Sequence, residues 1–99
     1  MYEGDGKMNN FQLQVRGYRD NIGVERVRPV FVWKAPVKYK QFTIEMARDE
    51  QFKDIIFLRD THECFCAYDS AMLKAETVYY IRVRSGMGEW SQSFFATGD

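Results

Sequence analysis

The residues best equipped for chemistry are crowded into His62-Glu63-Cys64-Phe65-Cys66. If a strand began at His62, the imidazole and both thiols would share one face, because side chains alternate along an extended chain. Imidazole and thiolate are good zinc donors, but a structural zinc site gathers four ligands, usually from turns. The chain holds one His and two Cys, so these residue types cannot complete the set, and no metal or cofactor is expected. Cys64 and Cys66 are expected to behave as small half-buried hydrophobes, with His62 in the preceding turn. An ordinary disulfide between them is excluded, since strand residues two apart on one face stand about 6.5–7 Å from each other. The chain is therefore not a disulfide-stapled miniprotein, and its core must hold the fold.

Acid–base and nucleophilic chemistry find no better footing. Glycoside hydrolysis needs two carboxyl groups about 5–9.5 Å apart across a sugar, in a cleft that raises one pKa. Asp49 and Glu50, and the acidic positions around Asp60 and Glu63, all fall in expected turns, where they read as solvated loop charges. There is no Gly-x-Ser-x-Gly elbow, and His62 has no paired Asp and Ser nearby. No Gly-rich run could cradle a phosphate. An enzyme acting alone is not expected, and no catalytic residue is assigned.

The elements that would carry any site are strands. Phe11-Gln12-Leu13-Gln14-Val15 alternates strictly, and Pro29-Val30-Phe31-Val32-Trp33-Lys34 is a near-continuous β-branched and aromatic run. Gln41-Phe42-Thr43-Ile44-Glu45-Met46 alternates again, with Phe42, Ile44 and Met46 on one face. Residues 48–52 make the one plausible helical turn. Ile55-Ile56-Phe57-Leu58 and Cys64-Phe65-Cys66-Ala67-Tyr68 read as short strands around a polar turn at residues 59–63. Val78–Arg84 and residues 90–96 are the last two strands, joined by a turn at Ser85-Gly86-Met87-Gly88. Seven short strands separated by turns in about a hundred residues predict an all-β, seven-stranded antiparallel β-sandwich.

Size and charge set the remaining bounds. A chain of 99 residues is one domain, and burial of only roughly 60–65% of its unfolded surface makes its core modest. Hydrophobic residues at 45%, including eight Phe, six Tyr and two Trp, can still fill it. Residues 1–10 are polar and Gly-containing, a tail or expression remnant, leaving 11–99 as the domain; residues 16–28 are charged and read as a long loop or irregular edge. The 14 Lys and Arg balance the 14 Asp and Glu, so no net field gathers nucleic acid or an anionic membrane. No apolar run approaches the roughly 20 residues that cross a bilayer as a helix. Met1-Tyr2-Glu3-Gly4-Asp5-Gly6 has neither the basic start nor the apolar stretch of a signal peptide, which favours the cytoplasm over a secreted or periplasmic site.

Leu73-Lys74-Ala75-Glu76-Thr77-Val78-Tyr79-Tyr80-Ile81-Arg82-Val83 resembles the fibronectin type III stretch of Leu, tight turn, Thr, Tyr and alternating strand. By that resemblance the sandwich is immunoglobulin-like, Leu73 plugs the core, Tyr79 is a corner tyrosine bonding back to upstream backbone, and Trp33 is the buried Trp of the second strand. Ala75-Glu76 stands where that family often has Pro-Gly. More narrowly, Asn21-Ile22-Gly23-Val24 and Arg28-Pro29-Val30-Phe31-Val32-Trp33-Lys34 are similar to the opening module of bacterial α-L-rhamnosidases. So are Tyr79-Tyr80-Ile81-Arg82-Val83-Arg84, Gly88-Glu89-Trp90-Ser91 and Phe94-Phe95-Ala96-Thr97-Gly98. That resemblance implies a non-catalytic accessory module of a glycoside hydrolase whose acid and base lie in another domain.

If Tyr79, Ile81 and Val83 point inward, Tyr80, Arg82 and Arg84 point outward, with Trp90 laid beside the arginines from the neighbouring strand. A cation–π stack there is worth about 0.5–1 kcal/mol. It reads as a structural ladder, and beyond that as a docking face for an adjacent domain of the parent chain, with a sugar platform as the alternative. A generic protein-interaction or adhesion module is the third reading. Fold alone does not separate the three.

Overall fold

The computed structural model describes residues 10–16 and 29–98. Among them are seven strands and no helix: β1 (Gln14–Arg16), β2 (Val30–Val32), β3 (Phe42–Ala47), β4 (Ile55–Thr61), β5 (Phe65–Ala67), β6 (Val78–Arg84) and β7 (Ser91–Ala96). They form two antiparallel sheets, one of three strands in the order β1-β2-β5 and one of four in the order β4-β3-β6-β7. Asn21-Ile22-Gly23-Val24, most of the expected tail and most of the charged 16–28 segment lie outside the described residues.

The sheets face each other because each strand's apolar set falls on one side. From the four-stranded sheet, Phe42, Ile44, Met46, Tyr79, Ile81 and Val83 are buried, each two residues from the next along its strand. Phe31 and Cys66, partners in the β2–β5 register, answer from the other sheet. Ring contacts cross the gap: Phe31 lies 6.2 Å from Phe57 and 6.1 Å from Phe95, and Trp33 meets Phe42 edge-on at 5.6 Å. Each fully buried aromatic contributes about 1.5–3 kcal/mol. One shared core between two antiparallel sheets is a sandwich-like all-β fold.

Three local expectations need correcting. Residues 48–52 do not form a helical turn: Asp49 draws the chain into a tight loop, its carboxylate accepting the Lys53 and Asp54 N–H groups at 2.8–3.0 Å. Phe52 closes that loop with φ of 57°. Residues 59–61 are strand rather than turn. They lie on an edge where charges are tolerated, and each is tied down: Arg59 to Asp69 at 2.8 Å, Asp60 to the Thr43 hydroxyl at 2.8 Å, and Thr61 opposite Phe42. The first strand begins at Gln14 rather than Phe11, because Gln12 takes φ of 55° and interrupts the extended run.

The connection into β6 is built around Tyr79. Its hydroxyl accepts the Lys74 N–H at 2.9 Å, five residues upstream. Glu76 takes φ of 50°, the left-handed conformation that a glycine would adopt without strain. Thr97 clamps the same corner, its hydroxyl donating to the Lys74 carbonyl and accepting the Thr77 N–H. Leu73 packs partly buried on the core beneath. After β6, Gly86 at φ 58° turns the chain, and the Gly88 N–H returns to the Ser85 carbonyl at 3.0 Å.

Candidate functional site

The outward face of the four-stranded sheet gathers the residues singled out for binding. Register places Tyr80 between Ala47 and Phe94, and Arg82 between Glu45 and Gln92. Arg84 lies beside Thr43, which in turn faces Asp60. Tyr80, Arg82 and Arg84 are thus alternate residues of one strand, all half-buried, with the half-buried Trp90 reaching them from the end of the turn into β7.

Arg82 and Arg84 grip the Trp90 indole. Their guanidinium carbons lie 4.1 Å and 4.3 Å from its ring centre. Strand residues two apart are separated by about 6.6–6.8 Å, room for one aromatic plane between two stacked groups, and the indole fills it. Phe52 takes the next place, with the Arg82 guanidinium carbon 4.2 Å from its ring centre. The order is Phe52, Arg82, Trp90, Arg84. Two rings about one guanidinium explain why Phe52, only 7% exposed, is buried on a sheet's outer side.

Glu45 fixes the ladder from β3. Its carboxylate accepts the Arg82 Nε–H and Nη2–H, both at 2.8 Å. Glu45 is 8% exposed, and burial without this pairing would be costly. Charge-assisted bonds of that length on a delocalised guanidinium leave its plane free to stack. Beyond the ladder, Thr43, Asp60 and Gln92 make part of the face polar, and an apolar patch adjoins them. Tyr80 and Phe94 meet with ring centres 6.4 Å apart, and Phe94 and Leu58 are 67% and 55% exposed.

Trp90, Tyr80, Arg82 and Arg84 therefore stand together, as alternation requires. Three further members escaped the sequence reading. Glu45 was visible only as the polar residue of an alternating strand; its role follows from the β3–β6 register, which no local pattern encodes. Phe52 lay in the segment read as a helical turn. Phe94 sits in the last strand, where Phe94-Phe95 leaves open which ring points inward until the pairing with Tyr80 is known.

His62, Cys64 and Cys66 do not converge. The exposed His62 imidazole lies 3.4 Å from the Gln41 amide. Cys64 is exposed rather than half-buried, and its carbonyl accepts the Trp33 N–H at 3.0 Å. Cys66 is buried in the core, where desolvation pushes its thiol pKa up. Asp49 and Glu50 flank a loop in which the Asp49 carboxylate is occupied by backbone N–H groups.

Scans against protein-family models, curated proteins and solved structures find no match for this chain.

Proposed function

We propose that this chain is a non-catalytic accessory module of a larger glycoside hydrolase of the α-L-rhamnosidase kind, docking on an adjacent domain through the outward face of its four-stranded sheet. The observation that carries the docking reading is the Trp90 indole held between Arg82 and Arg84 beside the half-buried Tyr80 and the exposed Phe94. A sugar stacks on the open face of an aromatic ring, and both faces of this indole are engaged. Aromatic and arginine side chains held rigid, with the exposed Phe94 and Leu58 on the same face, have the composition of a protein interface. The parent activity rests on the sequence resemblance, strongest at Tyr79-Tyr80-Ile81-Arg82-Val83-Arg84 and Gly88-Glu89-Trp90-Ser91.

A fibronectin type III character is part of the same proposal. It is supported by the Tyr79 hydroxyl bonded back to Lys74, by the buried Trp33 following β2, and by β4 pairing with β3. In the constant-type immunoglobulin arrangement the fourth strand joins the other sheet. The test is to read the natural frame beyond Asp99. Several hundred further residues with helical hairpins and acidic motifs are expected; a stop near Asp99, or repeated sandwiches, sinks the glycosidase reading and leaves an adhesion or interaction module. The carbohydrate-binding alternative predicts a millimolar change in Trp90 fluorescence with rhamnose, and no change is expected.

A further inference from the structure

Arg59 is a charged residue on the core-facing side of an edge strand. Its register partner is the fully buried Ile44, and alternation sets it on the same side of β4 as the buried Phe57. The side chain does not enter the core. Its guanidinium carbon lies 5.0 Å from the Phe57 ring centre, and its Nη2–H donates to the Asp69 carboxylate at 2.8 Å. Asp69 lies two residues past β5, so the pair ties the edge of the four-stranded sheet to the edge of the three-stranded one. At this seam the buried Phe57 and Tyr68 meet with ring centres 5.1 Å apart. The buried Cys66 thiol lies close to the pair: burial raises its pKa, and beyond that Arg59 lowers it and Asp69 raises it. We infer that the Arg59–Asp69 pair is a latch across the open side of the sandwich, and that its local parting, rather than unfolding of the whole chain, admits reagents to Cys66.

The seam is built from the parts of a fold that open first. The two side chains of the latch are 43% and 60% exposed, and exposed ion pairs hold weakly and are screened by salt. β5 is only three residues long and is paired on one side, to β2. Segments with few buried contacts open locally while central strands stay paired, and β3 and β6 occupy the centre of the other sheet. A core-facing charge protects an edge strand from pairing with another chain. It also leaves this side of the core covered by a polar contact that ionic strength can loosen. Cys66 is the buried one of the two thiols, so its reactivity reports that opening. The latch stands independently of the docking reading.

The test is the rate at which Cys66 is alkylated over hours by N-ethylmaleimide, an uncharged reagent, at neutral pH and without denaturant. Cys64→Ser in the 99-residue chain leaves Cys66 as the single thiol. In that background Arg59→Gln and Asp69→Asn should each speed labelling roughly 1.5- to 5-fold, the range that loss of an exposed ion pair supports. The two together should do little more than either alone, since both break one contact. The sign separates gating from a direct effect on the thiol. Acting on its pKa alone, loss of Arg59 would slow labelling and loss of Asp69 would speed it; a latch makes both faster. Glu45→Gln removes the carboxylate that holds Arg82 on the other face of the sheet and serves as the control for global unfolding. It should lower the urea midpoint and leave the labelling rate nearly unchanged. Labelling that rises with Glu45→Gln in step with the lost global stability overturns the inference, as does any result in which Arg59→Gln and Asp69→Asn do not both speed it.

Discussion

At the scale of single residues, two positions carry consequences out of proportion to their size. Glu45 is the acceptor that lets a guanidinium lie between two aromatic rings on a sheet's outer side. Glu45→Gln keeps an oxygen but removes its charge, and Arg82 is left half-buried and uncompensated. The expected loss is about 1–3 kcal/mol, the range for hydrogen bonds to charged groups, read as a lower urea midpoint at unchanged slope. Glu76 works in the opposite sense. Its φ of 50° is a left-handed strain at the corner before β6 that a Cβ-bearing residue carries at a cost of roughly 1–2 kcal/mol. Glu76→Gly relieves it, and after the extra entropy that glycine gives the unfolded chain a gain of roughly 0.5–1 kcal/mol is expected in the same assay.

At the scale of elements, the β3–β4 loop and β5 supply the sharpest tests. Backbone N–H groups of Lys53 and then Asp54 hold the Asp49 carboxyl pKa below its ordinary value. A depressed carboxylate pKa stabilises the fold above the unfolded value of about 4 and loses that contribution as pH falls through the folded value. Asp49→Ala should therefore destabilise at pH 7 and differ progressively less from the native chain below pH 4; paired denaturation curves at pH 7 and pH 3 check it. In β5, burial raises the Cys66 thiol pKa while Cys64 stands exposed two residues away. A maleimide should label Cys64 alone in the native chain and both thiols in denaturant, as mass spectrometry of the tryptic peptides would report.

Strand existence was legible at this scale because alternation is local: Phe42, Ile44 and Met46, or Tyr79, Ile81 and Val83, announce their shared face without any partner. What escaped depends on partners. Arg59-Asp60-Thr61 reads as a turn by composition, yet Thr43 and Asp69 hold its side chains along an edge strand. Phe52 reads as the end of a helical turn, but Asp49 captures the backbone first and Arg82 then covers the ring. For the same reason the sequence could place Trp90, Tyr80, Arg82 and Arg84 together, through alternation and a hairpin, and could not supply Glu45 across the sheet.

At the scale of the whole molecule, the two sheets are asymmetric. The outer side of the four-stranded sheet carries the ladder and its apolar flank. The three-stranded sheet turns outward Val30 and Val32, half-buried, Phe65, 53% exposed, and the exposed Gln14 and Arg16, without tryptophan among the described residues of its strands. The proposed docking function belongs to the first of these. The most direct test is to titrate the isotope-labelled chain with the domain that adjoins it in its natural frame and map the amide shifts. The account predicts perturbation concentrated at Tyr80, Arg82, Arg84, Trp90 and Phe94. Perturbation confined to the three-stranded sheet or to the loops, or none at millimolar concentration, would contradict it.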